Sequence, residues 1–138
     1  MTYTLHTDTN VPPAGMDALM ASLGWCNDHF FTPEVLAFHN SVTHYRAWVC
    51  DPAGKLVGYM SGINNGFSSV LIDTYAVSPT TDRATVGAML VQEVRRQCQG
   101  YAIYAMPFAD EDDLFRQNGF RVPGRPMSAL SCRNDSAE

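Results

Sequence analysis

Lysine is almost absent from this sequence. Lys55 is the only lysine among 9 basic residues, against 14 acidic residues, and the formal net charge is -5. Among the arginines, only Arg95 and Arg96 are adjacent. A protein that binds nucleic-acid phosphates needs basic residues concentrated on one surface. The scarcity and scatter of positive charge therefore argue against nucleic acid as a partner.

Long hydrophobic runs are also missing. No apolar run approaches the roughly 20 residues of a membrane-spanning helix, and residues 1–10 are too polar for a signal peptide. The 138 residues are 46% hydrophobic and 17% charged, a composition typical of one core-forming domain. We therefore expect a soluble, cytoplasmic protein that does not associate with membranes. The predicted single domain covers residues 1–132, and residues 133–138 are expected to be a disordered tail.

The sequence contains no pair of closely spaced cysteines. A structural zinc site needs paired ligands, and a disulfide framework is typical of shorter, secreted chains. No two histidines have the helical spacing of a zinc site either. We therefore expect no metal, and free thiols in a reducing compartment, for the four cysteines: Cys26, Cys50, Cys98 and Cys132.

Apolar periodicity predicts two helices in the first third of the chain, after a short strand at residues 3–6. The second helix is expected to begin at Thr32, which offers a hydroxyl N-cap before a proline and an acid. Its inner face is expected to contain Val35, Phe38 and Val42. The first helix has apolar residues at the spacing i, i+3, i+4 and i+7: Met16, Leu19, Met20 and Leu23.

The rest of the chain alternates strands with helices. Residues 51–54, Asp-Pro-Ala-Gly, fit a type I turn between strands at 45–50 and 55–61. The full order is strand, two helices, three antiparallel strands, helix, strand, helix and strand, which is an α+β fold of mixed topology. The remaining predicted elements are a strand at 69–77, a helix at 81–99, a strand at 101–106, a helix at 110–118 and an extended segment near 127–131.

The junction between the strand at 69–77 and the following helix carries the most specific pattern. The strand ends in Val77-Ser78-Pro79, and Gly87 lies in the first turns of the helix. The free N–H groups and the positive dipole end at the start of a helix suit a pyrophosphate group. Gly87 would let such a ligand approach the backbone closely.

This junction and the element order resemble the GNAT family of N-acetyltransferases, whose signature here is V-x-P, two residues, then [Q/R]-x-x-G-x-[G/A]. The similarity extends to Leu23-Gly24-Trp25, to the strand at 56–59, and to residues 114–120, LFRQNGF. The N-terminal pattern resembles small-amine acetyltransferases, including the arylalkylamine type. The resemblance implies a mostly antiparallel twisted sheet of roughly six or seven strands, with a V-shaped splay and about four flanking helices.

The activity implied by the resemblance is direct transfer of the acetyl group of acetyl-CoA to a primary amine of a small molecule or a peptide. Many relatives of this size form a homodimer, and the sequence leaves the oligomeric state open. The resemblance implies that the pantetheine arm contacts the backbone of Tyr75, Ala76 and Val77, and that the pyrophosphate contacts Arg83, Ala84, Thr85, Val86, Gly87 and Ala88.

Asp73 is the expected general base. Side chains on a strand alternate between faces, so Asp73, Tyr75 and Val77 are expected to share one side. The resemblance implies that the cofactor lies along the end of this strand, where Asp73 would accept the amine proton or bind the substrate ammonium group. The alternative is a structural carboxylate that pairs with an arginine or accepts backbone hydrogen bonds.

Three residues near the expected acceptor pocket are candidate substrate contacts. Trp25 and Phe31 could form its aromatic wall, and His39 lies on the second helix, which flanks the acceptor pocket in the family that the chain resembles. The alternative is that the aromatic pair packs between helices and that His39 is a core or solvated residue.

Two residues depart from the family signature at the junction. Asp82 stands where the family has Gln or Arg, and Thr85 stands where it has the first glycine. A carboxylate beside a phosphate is repulsive, so we expect Asp82 to point away as a helix N-cap. Arg83 would then supply the cation.

Phe115 is a further departure, since many family members have there a tyrosine that protonates the departing CoA thiolate. Tyr75, Tyr101 and Tyr104 are the alternative proton donors, with Tyr75 the candidate catalytic residue. The departures support a second hypothesis, a catalytically weak or inactive GNAT-like domain that senses CoA or binds a protein partner. A cleft filled by side chains would favour that hypothesis, and an open cleft beside Asp73 would favour the enzyme.

Overall fold

The computed structural model describes residues 2–25 and 30–132 and has the mixed α+β architecture that the sequence predicts. Cys26 and the expected disordered tail at 133–138 lie outside the described residues. The elements in chain order are β1 (Thr4–His6), α1 (Pro13–Ser22), α2 (Pro33–Val42), β2 (Tyr45–Cys50), β3 (Leu56–Asn64), β4 (Ser69–Val77), α3 (Arg83–Gln97), β5 (Ala102–Tyr104) and α4 (Asp112–Gln117).

The strands of the described residues form one five-stranded sheet in the order β1-β2-β3-β4-β5. The first four strands are antiparallel neighbours and β5 runs parallel to β4, which confirms the mostly antiparallel sheet. The strand number is five instead of six or seven, because the segment near 127–131 forms no strand. Pro123 and Pro126 precede this segment, and a proline has no N–H to donate to a ladder.

The predicted hairpin between β2 and β3 is confirmed. The Gly54 N–H donates to the Asp51 carbonyl at 2.9 Å, and the Asp51 carboxylate accepts from the Ala53 and Lys55 N–H groups. Gly54 has a φ of 86°, which a residue with a side chain rarely adopts. This turn aligns β2 with β3 in the middle of the sheet.

The sheet has helices on both faces. Helix α3 covers one face with Val86, Leu90 and Val94, and α1 covers the other with Met16 and Leu19. Among the described residues, no helix is both long and apolar enough to cross a bilayer.

Helix α2 begins as predicted, with the Thr32 hydroxyl accepting a hydrogen bond from the Val35 N–H. Its predicted inner face is wrong, because Phe38 is 69% exposed and Val42 is 45% exposed. Leu36 is the buried residue of this helix, and His39 lies one turn further along the same side. The inward residues keep the helical spacing but include polar side chains, and apolar periodicity cannot detect these.

The start of α3 confirms the expected role of Asp82. Its carboxylate caps the helix by accepting from the Thr85 N–H at 3.2 Å and the Thr85 hydroxyl at 2.8 Å. These hydrogen bonds lower the pKa of Asp82 below its ordinary value. Asp82 is therefore engaged with Thr85 at the start of α3.

The structure describes three of the four cysteines, and two of these three are buried. Cys50, Cys98 and Cys132 are free thiols, and only Cys132 is exposed. Burial raises the pKa of Cys98 to about 11. This thiol therefore stays protonated near neutral pH, when it is a poor nucleophile.

Gly58 of β3 sets how closely α3 approaches the sheet. A Cβ at this position would lie 2.6 Å from Val86 Cγ1 and 3.1 Å from Leu90 Cδ1. We expect Gly58→Ala to lower the free energy of unfolding by about 1–3 kcal/mol, because α3 must shift to accept the methyl group. Urea denaturation measures the change.

Gly124→Ala is the matched control for this substitution. A Cβ there would meet no atom within 4 Å, so we expect a change of less than about 0.5 kcal/mol. Equal stability of the two variants would contradict the close packing of α3 on Gly58.

Candidate functional site

Strands β4 and β5 diverge after a short stretch of pairing. Their parallel ladder covers only Ser69 to Leu71 on β4 and Ala102 to Tyr104 on β5. Beyond it a cleft of about 480 Å³ opens between β4 and residues 105–108. This is the V-shaped splay that the sequence analysis predicts, and its volume is in the range of small-molecule sites.

The edge of β4 that faces the cleft carries free backbone groups. Ser78 donates its N–H to the Val57 carbonyl of β3 at 2.8 Å. Hydrogen-bonded residues alternate along an antiparallel ladder, so Ala76 also bonds to β3. The N–H and C=O groups of Tyr75 and Val77 then point towards the divergent edge. Of the three residues expected to contact pantetheine, these two have backbone groups available.

The ladder between β3 and β4 is irregular at Asp73. Ser61 is opposite Thr74 and Gly62 is opposite Ile72, so the register skips Asp73. An extra residue in one strand is a β-bulge, and bulges redirect side chains near functional sites. The regular alternation of side chains is therefore interrupted at this residue.

The bulge overturns the prediction that Asp73, Tyr75 and Val77 share one side of β4. The Asp73 carboxylate accepts from the Ser61 hydroxyl at 3.0 and 3.1 Å. Ser61 in turn lies 3.5 Å from His39 of α2, on the face opposite α3. Tyr75 and Val77 pack instead in the core beneath α3. Asp73 and Tyr75 nevertheless both line the cleft, because it opens at the edge between the two faces.

Asp73 is an exposed carboxylate with hydroxyl partners. Besides Ser61, the Thr74 hydroxyl donates to it at 3.0 Å. No salt bridge among residues 2–25 and 30–132 includes Asp73. The structural alternative for this residue, an arginine partner, is therefore not seen in that part of the chain, and the carboxylate faces the cleft.

Aromatic and other apolar side chains form most of the cleft wall. Trp25 and Phe108 face each other at a ring-centroid distance of 5.9 Å. Trp25 and Phe31 line the cleft as candidate substrate contacts, but His39 does not and lies behind Asp73. The apolar lining consists of Met20, Trp25, Phe31, Ile72, Ala105, Met106, Pro107, Phe108 and Phe115, and the polar lining of Asp73, Thr74, Tyr75 and Glu111.

Tyr75 lies between the cleft and α3. Its ring packs edge-on against Phe115 at a centroid distance of 5.1 Å. Burial, and next the charge of Glu111, raise the pKa of Tyr75 above its ordinary value, and Arg83 acts in the opposite direction. The hydroxyl therefore remains protonated at neutral pH and can donate a hydrogen bond.

The start of α3 is covered by α4. A Cβ at Gly87 would lie 2.5 Å from the Tyr75 hydroxyl and closer still to Leu114 Cδ2, so Gly87 makes room for these side chains. Arg83 Nη2 lies 3.2 Å from Glu111 Oε1 and 3.7 Å from Asp110 Oδ2. The residues expected to contact pyrophosphate line neither this cleft nor four other cavities of the described residues: Arg83, Ala84, Thr85, Val86, Gly87 and Ala88.

Sequence reasoning missed two residues of this site. Ser61 lies in a strand of small and apolar residues, and nothing in its neighbourhood distinguishes it from a filler of the sheet. Glu111 belongs to an acidic run that fits the start of a helix, yet the residue is only 7% exposed and its carboxylate binds Arg83 instead of capping α4. Only the folding of distant segments onto β4 could reveal either role.

Metal ligands are not clustered in the part of the chain that the structure describes. It contains no group of three or more His, Cys, Asp or Glu side chains that could hold a metal ion.

Comparison with known proteins identifies the family. A model of the acetyltransferase (GNAT) family matches residues 14–120, which is more than half of the chain. Comparison with curated protein sequences finds no match.

Solved structures with the same fold include three with informative descriptions. A GNAT-family acetyltransferase from Streptococcus pneumoniae TIGR4 has a TM-score of 0.76 and 20% identity, over 97% of this chain and 100% of that one. Glucosamine-6-phosphate N-acetyltransferase from Arabidopsis thaliana has a TM-score of 0.73 and 14% identity, over 94% of this chain and 99% of that one. A GNAT-family N-acetyltransferase from Escherichia coli in complex with CoA has a TM-score of 0.60 and 16% identity, over 87% of this chain and 69% of that one. At these identities the similarity shows the fold alone.

Glu111 makes the stability of the fold depend on pH. Burial, and next Asp110, raise the pKa of Glu111 above its ordinary value of 4.5, and Arg83 partly offsets this. The folded protein therefore binds this proton more tightly than the unfolded chain, and the contribution of Glu111 falls as the pH rises above 4.5. We expect the melting temperature of Glu111→Gln, minus that of the wild type, to increase as the pH rises from about 4 to about 7.

Thermal unfolding of both proteins across this range tests the prediction. Asp113→Asn, which removes an exposed carboxyl from the same helix, is the control for the loss of one charge. If the melting temperature of Glu111→Gln instead fell relative to that of the wild type as the pH rose, the raised pKa of Glu111 would be contradicted.

Proposed function

Because the chain belongs to the GNAT family of acetyltransferases, we propose that it transfers the acetyl group of acetyl-CoA directly to a primary amine of a small molecule or a peptide. The observation that carries the proposal is the open cleft between β4 and β5, with the Asp73 carboxylate at its wall. A mostly apolar pocket of this size, lined by the exposed carboxylate of Asp73 and the buried one of Glu111, fits a small cationic acceptor.

The free edge of β4 supports binding of the pantetheine arm. Its amide groups can pair with the backbone of Tyr75 and Val77 as an added strand pairs with an exposed sheet edge. This pairing would direct the thioester into the cleft, towards Asp73. Ala76 would contribute indirectly, because its own backbone groups bond to β3.

The cleft residues supply the proton transfers that amine acetylation needs. Asp73 takes a proton from the substrate ammonium group, which frees the nitrogen lone pair. The nitrogen then forms a C–N bond with the acetyl carbonyl carbon, and the C–S bond breaks with its electron pair on sulfur. The thiolate accepts a proton from water in the open cleft, or from the Tyr75 hydroxyl, which water then reprotonates. Phe115 has no proton to give, and its ring packs against Tyr75 and Phe120.

The lining of the cleft favours an amine with an apolar or aromatic body. Trp25, Phe31 and Phe108 give ring faces that attract a cation and bury an apolar group. An amino sugar would have to leave several hydroxyl groups without partners against these walls. We therefore extend the proposal to small aromatic amines, in keeping with the small-amine pattern at the N-terminus.

The second hypothesis, a regulatory domain that senses CoA or binds a protein, has one observation in its favour. Leu114 and Tyr75 cover Gly87, and Arg83 is paired with Glu111. Binding of the CoA pyrophosphate at the start of α3 would require Arg83 to exchange this carboxylate for a phosphate. The two hypotheses differ in whether acetyl-CoA binds and whether an amine is acetylated.

Calorimetric titration with acetyl-CoA tests cofactor binding. We expect micromolar affinity for the wild type and a loss of about tenfold in Arg83→Ala, because a cation beside a phosphate contributes on the order of 1 kcal/mol. Acetylpantetheine, which lacks the pyrophosphate, should bind both proteins equally. Arg116→Ala, which removes an exposed arginine outside the cleft, is the control. Absence of binding at millimolar acetyl-CoA would reject the enzyme.

Turnover in the presence of amines tests the chemistry. The panel consists of 2-phenylethylamine, spermidine, glucosamine and a short peptide with a free N-terminus, and thiol release reports the reaction. We expect 2-phenylethylamine to react fastest and Asp73→Asn to lower its kcat by roughly 10²- to 10⁴-fold. Asp113→Asn is the control for removal of a carboxyl outside the cleft. Binding of acetyl-CoA without turnover of any amine would favour the regulatory hypothesis.

A further inference from the structure

A buried serine lies directly behind the proposed base. Ser61 of β3 is 0% exposed, yet its hydroxyl contacts two ionisable side chains. It donates to Asp73 at 3.0 and 3.1 Å from the two carboxylate oxygens, and it lies 3.5 Å from His39 Nε2. A buried polar group normally has one partner that satisfies it. Ser61 instead bridges the cleft residue Asp73 to a half-buried histidine on α2.

His39 is held at this place by a second hydroxyl. Its Nε2 lies 3.1 Å from the hydroxyl of Tyr59, which is fully buried. Burial raises the pKa of Tyr59 above its ordinary value, and the Ser61 hydrogen bond partly opposes this. Tyr59 therefore remains a neutral hydroxyl. It can donate to the unprotonated Nε2 when Ser61 does not, and it can accept from Nε2–H once Ser61 has delivered a proton.

The bulge in β4 is what connects these groups. With a regular register, Asp73 would lie on the α3 side together with Tyr75, away from Ser61 and His39. The skipped pairing turns the carboxylate towards β3, where Ser61 can donate to both of its oxygens. His39 does not line the cleft, so its link to the reaction passes through Ser61.

We propose that Ser61 is a positioning residue for Asp73 and that His39 is the outlet through which the amine proton leaves the site. This inference rests on the proposed acetyltransferase function. Protonated Asp73 donates its proton to Ser61 Oγ while the Ser61 hydroxyl proton passes to His39 Nε2. This transfer returns Asp73 to a carboxylate, and the imidazolium then releases its Nδ1 proton to water. Exchange with water afterwards moves the remaining ring proton from Nε2 to Nδ1, so that Nε2 can accept from Ser61 again. No bond other than O–H and N–H bonds changes.

Variants of both relay residues test the proposal by acetyl-CoA turnover with the fastest amine of the panel, which we expect to be 2-phenylethylamine. Ser61→Ala and His39→Gln are each expected to lower kcat about tenfold, less than Asp73→Asn does. The KM for acetyl-CoA should stay unchanged, since neither side chain lines the cleft. The double variant should be no slower than Ser61→Ala, because both residues serve one path.

Rescue by an external proton acceptor separates a relay from a purely structural role. Raising the imidazole buffer concentration should restore kcat in His39→Gln and leave the wild type unchanged. His44→Gln, at a histidine that contacts the backbone of Asn64 outside the cleft, is the matched control. It should show neither the loss nor the rescue. His39 is half-buried, so its variant is informative even if Ser61→Ala folds poorly.

The outcomes separate failure of the relay from failure of the enzyme. Wild-type kcat in His39→Gln, or a loss that no buffer concentration restores, would overturn the relay while Asp73→Asn still reports on the base. If the wild type acetylates no amine, the proposed function fails and the relay fails with it. Equal losses in the two single variants with buffer rescue in His39→Gln would support the proposal.

Discussion

The candidate site depends on one irregularity in the ladder between β3 and β4, the unpaired position of Asp73. A strand has a side-chain period of two, so one extra residue reverses the faces on either side of it. Tyr75 consequently stays in the core beneath α3, while Asp73 turns to Ser61 on the opposite face. Both residues still reach the same cleft. A regular ladder would bury the carboxylate among apolar residues, where it would need a partner or lose its charge.

The cleft itself results from the short pairing of β5. Only three residue pairs join β5 to β4, and the unpaired edge of β4 beyond them exposes backbone donors and acceptors. Such groups need water or a ligand as a partner. A protein that only needed stability would extend this ladder. The interruption therefore places hydrogen-bonding capacity beside Asp73 and Tyr75, where an extended substrate can use it.

The start of α3 must meet two opposing requirements. Close packing brings Leu114 and the Tyr75 hydroxyl against Gly87, and Glu111 neutralises Arg83 at the cost of burying a carboxylate. A pyrophosphate bound there would compete with Glu111 for Arg83. The Asp82 carboxylate would repel a pyrophosphate if it pointed towards it, but it is turned to the backbone as the cap of α3.

Local patterns in the sequence were sufficient to predict the bounds of β4, the turn at 51–54, the Thr32 and Asp82 caps and the order of elements from β1 to α4. These features depend on residues close together in the chain. The inner face of α2 and the side to which Asp73 points were predicted wrongly, because His39 and Asp73 are oriented by partners 22 and 12 residues away. Such contacts exist only after the sheet has formed. The sequence by itself determined the elements and the family, and the tertiary structure decided which side chains meet in the cleft.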